Sequence, residues 1–258
     1  MKIILIGTGN IAWQFGHRLH NKHIPIYGVY GRTPAKAREL ATQWGTTAYS
    51  DLQKLPADAD IYLFALRDQA YPAVIREFPH RNRTMVHTSG SLPLSLFESL
   101  TPFRGVIYPF QSCTKGCELQ SQRLPLCLEA SDTATRAVIG SLAACFSEEI
   151  YFLDSRQRKQ LHVAGVFANN FSNALYRIAF ELIEKQHIDT RILHPLILET
   201  ALKIQKMHPA KAQTGPAVRN DEEVMRNHLE LLKKEKESWS EVYRLMSLLI
   251  AEQPPLPL

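Results

Sequence analysis

Two groups of residues carry the chemistry this chain could perform. The first is Gly7-Thr8-Gly9-Asn10-Ile11-Ala12, a Gly-x-Gly-x-x-Ala turn that follows the short apolar run Ile3–Ile6 and opens a helix. Gly7 permits a tight turn. Gly9 lets the backbone approach a pyrophosphate, and the small Ala12 allows close packing of helix on strand. The helix beginning near Asn10 aims its unpaired N–H groups and the positive end of its dipole at the same phosphates. That combination suits a dinucleotide; the plainer alternative is an ordinary strand–helix turn. The second group is His162, Asn169 and Asn173, spaced by seven and four residues and therefore on one face of a helix. Their neighbours, including Val163, Phe167, Ala168 and Phe171, are apolar. A polar stripe on a buried helix must find partners, because each unpaired buried polar group costs about 1–3 kcal/mol. Those partners are either the helical region itself or a cofactor and substrate. His162 can exchange a proton near neutral pH, and Asn169 can orient a substrate oxygen or nitrogen. Asn170 lies further round the helix.

The end of the second apolar run discriminates between dinucleotides. A site that prefers NAD usually has Asp or Glu there to hold the ribose 2′-hydroxyl. Here the chain reads Gly31-Arg32-Thr33, and its first acidic residue is Glu39. Arg32 offers a forked donor to a 2′-phosphate, Thr33 a hydroxyl, and nearby Lys36 a further positive charge. NADP(H) is therefore expected over NAD(H), although Arg32 could also be a solvated surface side chain. The missing carboxylate also argues against an S-adenosylmethionine methyltransferase. Carboxyl ends of strands line the ligand crevice of an open α/β sheet. Ala65, Leu66 and Arg67 after the fourth strand, and Thr88 and Ser89 after the fifth, are thus expected beside the cofactor. Tyr108-Pro109-Phe110-Gln111 is either the substrate side of that crevice or a plain loop. Asp221 is a candidate N-cap, and Arg219 a candidate contact for an anionic substrate or a partner subunit.

The elements that must position these residues fall into two regions. Strand-like segments at Ile3–Ile6, Pro25–Tyr30, Thr47–Tyr49, Ile61–Leu66, Thr84–Thr88, Gly105–Tyr108, Leu126–Glu129 and Glu149–Leu153 alternate with helix-like ones at Ile11–His20, Pro34–Trp44 and 132–146. Thr33 serves as N-cap of the second helix and Pro34 as its first residue. This alternation predicts an α/β fold, a doubly wound parallel sheet of the Rossmann type. After Leu153 no strand is evident, and an all-helical domain is expected, with helices over Arg156–Gln186, Thr190–Met207 and Glu222–Glu252. The predicted domains are 1–153, binding the dinucleotide, and 154–258, helical. An apolar helical domain of that size completes its core well against a second copy, so a homodimer through these C-terminal helices is expected.

Bulk properties narrow the partners. The 258 residues carry 30 Lys and Arg against 25 Asp and Glu, a net charge of +5. The positive charge is dispersed, with no basic stripe interleaved with aromatics, so no nucleic-acid partner is expected. No apolar run reaches the roughly 18–20 residues of a membrane span, and the apolar start meets glycines at once rather than continuing as a signal sequence. No membrane partner is expected, and the location is read as cytoplasmic. Cys113, Cys117, Cys127 and Cys145 lack a second close pair or a histidine cluster, so no metal site is expected; they read as reduced thiols.

Taken in order, Gly7 to Ala12, Gly31-Arg32-Thr33, His87-Thr88-Ser89-Gly90, Tyr108 to Gln111, His162 with Asn169-Asn170, and Thr214-Gly215-Pro216 with Arg219-Asn220-Asp221 resemble a family. It comprises Rossmann-like NADP oxidoreductases whose helical second half bears a domain-of-unknown-function label. The chain is more distantly similar to pyrroline-5-carboxylate reductase and to the 3-hydroxyacid and 6-phosphogluconate dehydrogenases. The resemblance implies an NADP-binding first domain and a dimerising helical second domain. It does not supply a substrate. The hydroxyacid dehydrogenases carry Lys and, four residues later, Asn on the first long helix of the second domain. Here His162 is followed by Val166, and Lys159 by Val163. The reading is an NADP(H)-dependent oxidoreductase acting on a small imine or a keto or hydroxy acid, with His162 in proton transfer. The alternative is a non-catalytic NADP(H)-binding redox sensor or scaffold.

Overall fold

The computed structural model describes residues 1–119 and 123–252. The proline-rich tail at 253–258, read as frayed from its sequence, lies outside them. One eight-stranded sheet organises the first part. Its strands are β1 (Ile3–Ile6), β2 (Ile26–Tyr30), β3 (Ala48–Tyr49), β4 (Ile61–Phe64), β5 (Thr84–His87), β6 (Arg104–Pro109), β7 (Leu126–Ala130) and β8 (Ile150–Phe152), in the order β3-β2-β1-β4-β5-β6-β7-β8. Helices α1 (Asn10–Asn21), α2 (Pro34–Trp44), α3 (Tyr71–Glu77) and α4 (Thr133–Ala144) connect them.

Strands β1 to β6 run parallel, but β7 is antiparallel to β6, and β8 follows β7 in parallel. The expected doubly wound parallel sheet is present, and the β6–β7 pair is its one antiparallel pairing among the described residues. A parallel return requires a crossover connection, usually a helix. No helix lies among the described residues between β6 and β7.

The sheet is covered on both faces, which explains why its central strands are continuously apolar. Residues alternate between two cores. Ile3, Leu5, Phe15, Trp44, Leu63, Val86 and Phe146 pack on one side, while Ile4, Ile6, Tyr62, Phe64, Tyr71, Phe78 and Phe97 pack on the other. All four residues of β1 are fully buried. The chain order reverses direction at β1 and β4, so the crevice of this topology opens where those two strands end.

Helices make up the rest. They are α5 (Ser155–Gly165), a π-helical stretch Val166–Phe171, α6 (Ser172–Glu184), α7 (His194–Lys206), the short α8 (Pro209–Ala212), α9 (Glu222–Glu235) and α10 (Glu237–Ala251). The single helix expected over 156–186 therefore contains a π turn. The one expected over 222–252 breaks at Lys236, whose backbone is extended at φ −165°. Asp221 caps α9, its carboxylate accepting from the Val224 N–H at 3.4 Å. By compactness the chain forms two units, Met1–Asn170 and Phe171 onward. The first unit thus runs past the last strand to include α5, whereas the sequence placed its division at the end of the sheet. Among the described residues no helix is long and apolar enough to cross a membrane.

Candidate functional site

The glycine-rich turn joins β1 to α1 at the point where the sheet order reverses. Gly7 has φ +134°, and a Cβ there would strike the Ala65 carbonyl oxygen. Its N–H donates to the Tyr30 carbonyl at 2.8 Å, and the Ala65 N–H donates to the Ile6 carbonyl at 2.8 Å. The ends of β1, β2 and β4 are thereby held together around one residue that must be glycine. Gly9 differs: a Cβ built on it meets nothing within 4 Å. It is the N-cap of α1 and supplies no capping side chain, so the first N–H groups of the helix receive no side-chain cap from it. The Thr8 side chain stands against Gly31.

The turn after β2 is positioned as the sequence suggested. Arg32 and Thr33 are exposed. Thr33 occupies the N-cap of α2 without making a side-chain capping bond, and Pro34 begins the helix. Its hydroxyl is therefore not consumed by the helix it precedes. Arg32 forms no salt bridge among the described residues. An open Gly9, an uncapped helix and a cationic turn fit a phosphorylated dinucleotide chemically.

A cavity of about 340 Å³ adjoins this region, lined by Ile11 of α1, Thr88 after β5, Tyr108 to Ser112 after β6, and His162, Val166, Asn169 and Asn170. Four expected site residues, Ile11, Thr88, His162 and Asn169, therefore come together. Asn170 joins them because the π turn accommodates an extra residue per turn and shifts the stripe assumed for a regular helix. Asn173 lies in the second unit. The helical residues around the stripe were expected to be buried; Val163 and Phe167 are 51% and 63% exposed in the single chain.

Tyr108, which the sequence left between the substrate side of the crevice and a plain loop, lines the cavity and meets His162. Its hydroxyl lies 2.9 Å from Nδ1 of His162, with the rings edge to face. Burial, with Cys127 adding and Arg158 opposing, pushes its phenol up to about 12, so it stays a neutral hydroxyl. The chain makes room for the pair at Gly90, where a Cβ would lie 2.7 Å from both His162 Nδ1 and the Tyr108 ring. Phe110 packs on Gly165 in the same way.

Several strand-end residues are also bonded to the backbone around them. Thr88 donates from its N–H and its hydroxyl to the Phe64 carbonyl. The Ser89 hydroxyl accepts from the N–H groups of Ser91 and Leu92, each at 3.1 Å. Leu66 flanks Gly7, and Arg67 is exposed. His87 is fully buried, and that burial, with Arg158 adding, pushes its imidazole down to about 3. It is neutral and structural, with the Ser89 N–H at 3.3 Å from Nδ1.

Helix α5 is fixed at its start by two devices. Asp154 and Gln157 form a capping box. Arg158, 1% exposed, pairs with Glu129 of β7 and donates to the Leu92 carbonyl, while Ser155 also donates to Glu129. His162 follows one turn later. The capping box was readable as Asp-x-x-Gln; the ion pair, between residues 29 apart, was not.

The fold and site define a Rossmann-like nucleotide-binding protein with a helical C-terminal region. Residues 2–89 match the family model described as "NADP oxidoreductase coenzyme F420-dependent", and residues 124–250 match "Domain of unknown function (DUF2520)". The crystal structure of a provisionally named NADP oxidoreductase from Bacteroides fragilis is 38% identical, covering 98% of both chains with a TM-score of 0.90. The chain belongs to this family, in which an NADP oxidoreductase domain precedes the DUF2520 domain. An imine reductase from Myxococcus stipitatus in complex with NADP+ is 14% identical, over 98% of this chain and 93% of that one, with a TM-score of 0.66. A 1-pyrroline-5-carboxylate reductase from Streptococcus pyogenes is 14% identical over 98% and 99%, with a TM-score of 0.64. These two share the fold. Comparison with curated proteins found no match.

Proposed function

We propose that this protein is an NADP(H)-dependent oxidoreductase that reduces a small imine, or interconverts a keto and a hydroxy acid, in the cavity beside the glycine-rich turn. The observation that carries this reading is the Tyr108–His162 hydrogen bond in a cavity shared with Ile11 of the turn itself. Bound NADP(H) supplies or accepts the hydride. The chain's own residues bind, orient and move a proton. Gly7 shapes the turn and Gly9 leaves space for the pyrophosphate. Thr8, Asn10, Ile11, Ala65, Leu66, Arg67, Thr88 and Ser89 form its surroundings. Arg32 and Thr33 hold the 2′-phosphate.

His162 moves the proton through Nε2, since Nδ1 faces Tyr108. Protonated His162 donates Nδ1–H to the Tyr108 oxygen and presents Nε2–H to the substrate nitrogen or oxygen. Giving up that proton leaves the neutral Nδ1–H tautomer, and the same hydrogen bond persists. Asn169 orients the accepting atom. The imine class is supported by the folds shared with an imine reductase and a pyrroline-5-carboxylate reductase.

NADPH oxidation with a panel of cyclic imines and 2-keto acids tests this. Turnover should fall by about 10²–10⁴-fold in His162→Ala, with NADPH affinity held within twofold, that is, under about 0.5 kcal/mol. Undiminished turnover would remove His162 from the mechanism. Binding without turnover across the panel would favour a non-catalytic cofactor sensor or scaffold.

The second unit supports a homodimer. Its helices expose Ile192 at 68%, Leu196 at 65%, Leu198 at 59% and Leu245 at 55%. Apolar exposure on that scale marks an interaction surface. Light scattering on the intact protein should give twice the chain mass.

A further inference from the structure

We propose that Lys115 is a specificity-determining residue of the cofactor site, selecting the 2′-phosphate together with Arg32. The proposal rests on the NADP(H) reading above and adds a residue far in sequence from both the glycine-rich motif and β2. Lys115 lies on the loop after β6. That loop is fastened to α1 by Asn10: the Asn10 amide donates to the Cys113 carbonyl at 2.9 Å, and its oxygen accepts from the Lys115 N–H at 3.3 Å. Asn10 is the residue that opens α1 directly after Gly9. Both ends of its side chain are thus committed to holding the loop against the glycine-rich turn. The position of the Lys115 backbone follows from that clamp.

From there the Lys115 ammonium reaches α2, where it meets the Glu39 carboxylate at 2.9 Å. Glu39 is the first acidic residue in the sequence and follows Lys36 by three positions. Residues three apart are neighbours on a helix surface, so Glu39 sits beside the cation expected to help hold the 2′-phosphate. An uncovered carboxylate there would repel that phosphate. Lys115 cancels it, and at 30% side-chain exposure against 59% for Glu39 it is the more sheltered partner. Its side chain thus runs from a backbone held at the first turn of α1 to a carboxylate on α2, the helix that Arg32 and Thr33 precede. A dianionic phosphate is a stronger partner for an ammonium than an exposed carboxylate. Lys115 exchanges Glu39 for the phosphate on binding, and the Arg32 fork holds the other side.

Calorimetric binding of NADP+, NAD+ and 2′,5′-ADP tests the assignment without any turnover. Lys115→Ala should weaken NADP+ and 2′,5′-ADP about tenfold, the scale of one charge-assisted contact, and leave NAD+ within twofold. Glu39→Gln added to Lys115→Ala should recover part of the loss, because the uncovered carboxylate is then gone. Lys115→Arg should retain most of the affinity. An equal loss for NADP+ and NAD+ would place Lys115 on the pyrophosphate and overturn the proposal, as would no loss for either. Arg32→Ala separates the underlying reading. If Arg32→Ala weakens NADP+ while Lys115→Ala does not, only the Lys115 assignment fails. If the unaltered protein binds NAD+ as tightly as NADP+, the NADP(H) reading itself fails.

Discussion

The Tyr108 hydroxyl and Nδ1 of His162, 2.9 Å apart, join the end of β6 to α5 at the wall of the cavity. A tyrosine kept neutral by burial can accept from Nδ1 in both protonation states of the imidazole. The pair therefore holds the ring still while its other nitrogen does the chemistry. Tyr108→Phe should keep the fold and the NADPH affinity and lower kcat about tenfold, the loss of one hydrogen bond. In the double variant with His162→Ala the tyrosine change should have no further effect. Additive losses would show that Tyr108 acts on the substrate independently of His162.

The two glycines of the turn should fail differently. Gly7→Ala puts a methyl group into the Ala65 carbonyl and forces φ +134° on an L-residue, which should cost about 2–4 kcal/mol of stability. Gly9 has φ −86° and open space around it. Gly9→Ala should therefore melt within a few degrees of the unaltered protein, yet lose at least about tenfold in NADP+ affinity, because the methyl occupies the space needed for close approach. Paired melting and titration of the two variants checks this. Unchanged binding by Gly9→Ala would move the cofactor away from the turn.

The strands, the first two helices and the glycine turn could be read from sequence because each rests on local signals. β1 is four apolar residues beside a glycine pair, and α2 begins at Thr33-Pro34 and ends at Gly45 in the left-handed conformation. What escaped depends on pairings distant in sequence or on irregular backbone. Tyr108 meets His162 across 54 residues, and Arg158 meets Glu129 through the sheet. The π turn at Val166–Phe171 has no signature in apolar spacing, so regular helical geometry sets Asn170 further round the helix than the cavity wall that it lines. The break at Lys236 likewise carries neither glycine nor proline.

His87 gives the fold a pH dependence of known sign. Its folded pKa is depressed from 6.5 to about 3, mainly by burial and then by Arg158. The unfolded chain takes up this proton as pH falls through about 6.5, while the folded chain resists until about 3. Stability is therefore fully present above pH 6.5 and falls as pH drops toward 3, by about 1.4 kcal/mol per pH unit from this group. Urea unfolding between pH 6.5 and pH 5, compared with His87→Gln, isolates the contribution. The variant should be less stable at neutral pH but should lack this slope. An identical slope in both proteins would show that His87 is protonated in the fold or reached by water.

Arg158 ties three parts of the site's frame together, since it meets Glu129 on β7, Leu92 in the loop after β5 and Ser155 at the start of its own helix. Its Nε has no hydrogen-bond partner among the described residues. Removing the cation alone strands a largely buried carboxylate. Arg158→Met should therefore cost about 3–5 kcal/mol, and the double variant Arg158→Met with Glu129→Leu should recover much of it, because a buried ion pair is often matched by apolar packing. Turnover should not recover with stability. The double variant still lacks the bond from α5 to the Leu92 carbonyl, and that loop begins with Thr88 and Gly90, which pack against the cavity and the Tyr108–His162 pair. Denaturation and kcat measured on the same three proteins separate the two roles. If kcat returned to its full value in the double variant, Arg158 would serve the fold alone.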